Sequence, residues 1–237
     1  MEQYEVEQLF LNYGITLIDK QIDLFLQYVN LLYESNKKFN LTGFQSKKEI
    51  IKHLVLKSII PLPLFNVPRG TSFIDIGTGP GIPGIPISIV YPHCCGVLID
   101  SNRRKIEFIM HVAEKLHLKN IIAFCGRLED CARMSDYRER FDNCFSRAFG
   151  SLYYVLELSS PFVKPGGIVF IYSNIEKDSI NETILEQASR VGLSIEHVDS
   201  NKESQKKKGL LFTKMSSIDE KYPRRNMVIK RESKRVE

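Results

Sequence analysis

The sequence lacks the marks of several protein classes. Among its 237 residues no apolar run approaches the ~20 needed to span a bilayer, so no membrane segment is expected. The N-terminus opens with Glu2, Glu5 and Glu7, where a signal peptide would carry positive charge; a cytoplasmic chain is expected. Cysteine is sparse: Cys94, Cys95, Cys125, Cys131 and Cys144, an odd number without a C-x-x-C. Most lie in apolar, strand-like stretches, so buried, reduced thiols are expected rather than a zinc site. The histidines never fall in H-x-x-x-H spacing, and no metal is expected. No internal repeat is visible.

A 43% hydrophobic content is enough for one full-sized core with room for an appended helical element. Charge is unevenly spread. From Ser200 onward twelve Lys or Arg face five Asp or Glu, whereas the whole chain is only +5. The remainder is therefore slightly acidic. Such a basic tail suits a phosphate-rich partner through counterion release, and it equally suits a solvated tail kept for solubility.

Residues 1–66 read as a helical cap. Ile22, Phe25, Leu26, Val29, Leu32 and Tyr33 recur at helical spacing. Asn40-Leu41-Thr42-Gly43 breaks the pattern as a turn. Ser46-Lys47-Lys48-Glu49 is a capping box introducing a helix that carries His53, and Pro61 and Pro63 end it. Residues 67–216 change texture. Short apolar runs at Phe73–Ile76, Gly96–Asp100, Asn120–Cys125, Phe141–Ser146 and Gly167–Tyr172 alternate with helical patterns. One of these helices, Lys105–Leu118, has Ile106, Ile109, Met110, Ala113 and Leu116 on one face. Strands separated by single helices predict βαβ units: an α/β, doubly wound, mostly parallel sheet. Leu193–Val198 and Leu210–Lys214, flanking Lys206-Lys207-Lys208-Gly209, are spaced to close it as a C-terminal antiparallel hairpin. That is the layout of a class I methyltransferase, Rossmann-like and with an N-terminal helical cap. Residues 217–237 form the basic tail.

The most informative stretch runs from Phe73 through Asp75-Ile76-Gly77-Thr78-Gly79-Pro80-Gly81-Ile82-Pro83-Gly84. A buried strand ends at Ile76, and glycines then allow a sharp turn and close approach to a ligand. A helix is expected from near Pro83. Gly79-x-Gly81-x-x-Gly84 also satisfies the dinucleotide fingerprint, so NAD stays open on the glycines alone. Three details favour S-adenosylmethionine. Asp75, at the strand end, can orient the loop or attract an ammonium group. Prolines at 80, 83 and 86 crowd the place a pyrophosphate would take. Asp100 ends the next strand, where a carboxylate can accept both ribose hydroxyls. Arg103, Arg104 and Lys105 open the following helix against its dipole, which favours a role for them beyond the helix itself. Leu128 and Glu129 stand where an adenine edge would land, and Arg147 stands at the same rim.

Together these segments resemble the RsmG (GidB) methyltransferases, which modify guanine N7 in 16S ribosomal RNA. The motifs carrying the resemblance are Asn40-Leu41-Thr42, the glycine–proline stretch, Asp100-Ser101-Asn102-Arg103-Arg104-Lys105, Gly126-Arg127-Leu128-Glu129, Ser146-Arg147-Ala148-Phe149 and Lys221-Tyr222-Pro223-Arg224. The resemblance implies S-adenosyl-L-methionine as cofactor, contacted by Gly77, Ile82, Leu128, Glu129 and Arg147, with Asp100 near the ribose. It implies that Asn40, His53, Arg127 and Arg147 face the RNA or target base. The partner it implies is ribosomal RNA or the small ribosomal subunit, and the chain is expected to be a monomer. Three positions depart from the family: Lys57 where an Asp is usual, Tyr172-Ser173-Asn174 where a Lys-Gly pair is usual, and a tail without Gly-x-Pro. A small-molecule methyltransferase, an NAD-dependent oxidoreductase and a non-catalytic RNA-binding protein are the competing readings.

Overall fold

The computed structural model describes residues 2–64, 69–174, 180–196 and 209–236. The helices in its first part are α1 (Gln3–Leu11), α2 (Asp19–Phe39), α3 (Lys47–Glu49) and α4 (Lys57–Ile59), with π-helical Ile50–Leu56 joining the last two. Further along come α5 (Gly84–Val90), α6 (Arg103–Lys115), α7 (Leu128–Cys131), α8 (Leu152–Ser159), α9 (Glu182–Arg190) and α10 (Asn226–Val236). The strands are β1 (Ser72–Ile76), β2 (Cys95–Asp100), β3 (Ile121–Cys125), β4 (Phe141–Arg147), β5 (Val163–Tyr172), β6 (Leu193–Ile195) and β7 (Leu210–Lys214). The chain forms two compact units, Met1–Gly70 with Thr78–Cys125, and Thr71–Gly77 with Gly126–Glu237.

In the first unit α2 is the organising element. Its buried stripe is Ile22, Phe25, Tyr28, Val29, Leu32 and Asn36. The Gln21 side chain accepts the Ile18 N–H and donates to the carbonyls of Ile89 and Val90, fixing α2 on α5. The helix ends at Asn40, whose φ of 53° is left-handed, a conformation asparagine tolerates better than most residues. The buried Asn36 then holds the turn, accepting the Thr42 N–H and donating to the Phe44 carbonyl. Ser46 caps the next helix through the Glu49 N–H, as the capping box predicts. In α6 the buried residues are Ile106, Phe108, Ile109 and Val112, while Met110 is 58% exposed. The apolar face is thus rotated from the expected one: Phe108 and Val112 supply burial that had been credited to Met110. β2 and β3 pair in parallel, from Gly96↔Ile121 to Asp100↔Cys125.

In the second unit β1 pairs β4 and β4 pairs β5, both in parallel. β7 pairs antiparallel with both β5 and β6. These are the parallel strands and antiparallel close predicted from the spacing. Val198 and the Lys206-Lys207-Lys208 part of the hairpin lie outside the described residues.

The C-terminal segment is built into this unit rather than left as a solvated tail. Arg138 donates to the carbonyls of Ile218, Asp219 and Tyr222, and Arg133 donates to those of Glu220 and Pro223. Arg224 then reaches the fully buried Glu157: its backbone N–H, Nε and Nη2 all donate to that carboxylate, the last at 2.7 Å. Gln187 donates to it as well, and Glu232 pairs with Arg224 Nη1 at 2.9 Å. α10 packs on α8 through the buried Ile229. Lys221-Tyr222-Pro223-Arg224 is therefore a structural clasp.

Lys214, on β7, is also fully buried. It donates to the carbonyl and hydroxyl of Ser160, with Glu139 at 3.6 Å. Burial pushes its ammonium down from 10.5 to about 8, with Glu139 opposing. Because the folded state gives up this proton first, the unfolded state binds more protons between those two values. The penalty for burying the charge is therefore full below pH 8 and is relieved as pH rises from about 8 to 10.5. Subtracting the stability profile of Lys214→Met should leave a difference that climbs through this window in urea titrations. A flat difference would contradict the assignment.

The cysteines depart in part from expectation: Cys94, Cys131 and Cys144 are buried, but Cys95 and Cys125 are exposed. Among the described residues no helix is long and apolar enough to cross a membrane.

Candidate cofactor and substrate site

The glycine loop starts where β1 ends. Gly77 has φ +66°, and a Cβ there would sit 2.1 Å from the Phe149 ring, so the ring occupies the space that a side chain would need. Gly79 is also left-handed, at φ +60°, but nothing lies within 4 Å of where its Cβ would project. There the glycine leaves its backbone open to close approach.

In the first unit the loop is tied down by the backbone and one carboxylate. The Thr78 N–H donates to the Ile99 carbonyl, and the Ile82 N–H to that of Thr78. Asp100, nearly buried at the end of β2, accepts the Gly79 N–H at 3.0 Å and the Asn102 N–H at 2.8 Å. Lys105 Nζ lies 3.6 Å from the same carboxylate, which gives the basic helix start a partner. A carboxylate has about four lone-pair sites, so Asp100 retains capacity for ribose hydroxyls. Ile82 is buried beside the loop. The Tyr28 hydroxyl on α2 donates to the Pro80 carbonyl at 3.0 Å, anchoring the loop to the helical segment. Asn40 stands exposed at the end of α2, and His53 stacks on Phe44 at 5.3 Å with 13° between the rings. Asn40 opens the turn that Asn36 holds, and His53 reaches that turn through Phe44.

Gly77, Leu128, Glu129 and Arg147 lie in the second unit. Arg147 is the last residue of β4 and pairs in register with Tyr172 on β5; its guanidinium lies 5.6 Å from the Tyr172 ring. Burial raises the Tyr172 phenol far above its ordinary value, with the Arg147 charge opposing and the Asp75 charge reinforcing. Asp75, fully buried, also helps raise the Cys144 thiol, which burial raises most. Tyr172, one of the three departures, is thus the ring beside Arg147.

Leu128 and Glu129 open α7. Glu129 Oε1 is buried and has no hydrogen-bond partner among the described residues. The Tyr154 phenol is raised mainly by burial and next by the charge of Glu129, so the two side chains are neighbours. Tyr154 accepts from Asn226 at 2.9 Å, and its ring centroid is 5.8 Å from that of Phe149. Ala148, between Arg147 and Phe149, has φ +51°, an uncommon conformation for alanine that turns the chain there. A path of contacts therefore leads from α10 through Tyr154 and Phe149 to Gly77.

Tyr28, Asn36 and Tyr154 escaped the sequence reading. Each had a signal: a polar group on a buried helical stripe must find a partner.

Residues 21–208 match the GidB family, described as rRNA small subunit methyltransferase G. The chain belongs to this family. A relative from Mycoplasmoides gallisepticum, a Ribosomal RNA small subunit methyltransferase G, is 33% identical over 226 residues, covering 93% of both chains. One of the same name from Acetivibrio thermocellus is 41% identical over 155 residues, covering 65% of this chain but 64% of its own. Among solved structures, a chain of the Haloferax volcanii complex between the Trm112 methyltransferase activator and a methyltransferase superposes with a TM-score of 0.52 at 14% identity. It covers 71% of this chain and 93% of its own, a likeness of fold.

Proposed function

We propose that the protein transfers a methyl group from S-adenosyl-L-methionine to N7 of a guanine in 16S ribosomal RNA, acting in the cytoplasm. The observation that carries the cofactor part of this reading is Oε1 of Glu129, buried and without a hydrogen-bond partner among the described residues. A buried acceptor without a donor is costly, and an ionised carboxylate can only accept. The amino edge of an adenine or a nucleoside hydroxyl is the kind of donor it lacks. The open backbone at Gly79 and the spare lone pairs of Asp100 support the same class of ligand.

S-adenosylmethionine supplies a methyl group on a sulfonium, ready for in-line displacement. Guanine N7 offers an in-plane lone pair and has no proton to lose. With the cofactor bound here, that methyl would move to N7 as the S–C bond breaks and the N–C bond forms, the positive charge passing to the purine. No general base is required, so the work of the chain is to hold and orient. Such positioning contributes up to ~7–11 kcal/mol in favourable cases. Gly77 and Gly79 let the backbone approach, Asp100 accepts ribose hydroxyls, and Leu128 with Glu129 takes the adenine edge. Arg147, braced on Tyr172, faces the RNA or target base; Asn40 and His53 are the contacts proposed on the helical segment.

Calorimetry should detect uptake of S-adenosylmethionine or its demethylated product. Labelled methyl should pass to 16S RNA from cells lacking this gene and map to one guanine N7. Arg147→Ala should cut that transfer at least tenfold while the melting temperature moves by no more than about 2 °C. Unchanged transfer removes Arg147 from the site, and absence of cofactor uptake by the folded wild-type protein ends the assignment.

A further inference from the structure

The charge of the helical segment is sorted along its sequence. The residues before Glu34 carry one lysine and five acids, whereas Glu34 to Lys57 carry six lysines and two glutamates. All six lysines are exposed. Two of them converge on one aromatic ring: Lys37 Nζ lies 4.4 Å and Lys47 Nζ 5.4 Å from the centroid of Tyr33. Lys37 and Lys47 come from different helices, one at the end of α2 and the other at the start of α3. Glu34 forms an exposed pair with Lys37 at 2.9 Å, and Lys47 is steadied by the Asn30 side chain. Phe39, beside Lys38, is 55% exposed, an unusual position for a phenylalanine at a helix end. The Phe44–His53 stack lies on the turn and helix that follow.

Lysines interleaved with accessible rings are the composition that binds single-stranded nucleic acid: ammonium groups follow the phosphates while bases stack on the rings. We propose that the surface built on Tyr33, Lys37 and Lys47 docks a single-stranded segment of the RNA substrate. The chemistry of the target agrees. In A-form helices N7 lies in a deep, narrow groove that side chains do not read, so a reactive guanine must be presented from an unpaired segment. This inference rests on the proposed RNA substrate and adds where that substrate is held.

The test uses the full chain, titrated with a single-stranded RNA oligonucleotide and with protein-free 16S RNA over a range of salt. Lys37→Gln/Lys47→Gln should flatten the slope of log affinity against log salt by about 1.4, the value for two phosphate contacts on a single strand. Tyr33→Ala should weaken binding roughly 5- to 100-fold, with Tyr33→Phe restoring it. S-adenosylmethionine uptake should be unchanged in all three, which also reports that they fold. An unaltered salt slope overturns the proposal, as does equal affinity for duplex and single-stranded RNA in the wild type. Failure of the underlying reading looks different: the wild-type protein itself would then methylate no 16S RNA.

Discussion

Arg224→Ala is expected to lower the melting temperature by roughly 6–20 °C, because breaking a buried ion pair costs about 3–5 kcal/mol and each kcal/mol moves a chain of this size by about 2–4 °C. The magnitude follows from which partner is stranded. Glu157 is fully buried, and three of its contacts come from Arg224: the backbone N–H, Nε and Nη2. The truncation removes the Nε and Nη2 donors and leaves a buried carboxylate held, among the described residues, by Gln187 and the backbone N–H of position 224. Removing both charges together should hurt less, so Arg224→Met/Glu157→Leu should recover a large part of the loss. Thermal melts by circular dichroism on the singles and the double close the cycle. A drop below about 2 °C for Arg224→Ala would mean that Glu157 is not held as described.

Glu129→Gln is expected to weaken binding of the demethylated cofactor product by roughly 10- to 100-fold, since a hydrogen bond to a charged group contributes about 1.5–3 kcal/mol. Stability should stay level or rise. Oε1 of Glu129 lacks a partner among the described residues, so replacing the carboxylate with a neutral amide removes a buried charge rather than a bond. This pattern of lost affinity without lost stability separates a ligand-facing group from a structural one. Calorimetric titration alongside a melt reads both. If the melting temperature falls together with affinity, Glu129 belongs to the fold instead.

The strands were legible in the sequence because a strand buried on both faces is a run of apolar residues, and such runs stand out whatever their neighbours. Phe141–Ser146 and Leu210–Lys214 were found within a residue of their ends. β5 was found only from Gly167. Its first residues, from Val163, are exposed over Lys164–Gly166, and their pairing depends on a β4 that is irregular near Phe141. The glycine loop was legible because backbone geometry demands particular residue types there. What stayed hidden are long-range polar contacts. Nothing near Tyr28 in sequence announces Pro80, and nothing near Tyr154 announces Asn226. The basic tail has a related limit. Charge counts cannot separate the exposed Lys230 and Arg231 from Arg224, whose partner Glu157 lies on α8.

The clasp also bears on how the protein is made. Glu157 precedes Arg224 by 67 positions, so during synthesis a carboxylate destined for the interior is translated well before its counter-charge. Until Arg224 has left the ribosome, α8 cannot seat that side chain without either keeping it hydrated or protonating it. Final packing of α8 therefore waits on a segment made after every strand of its own unit.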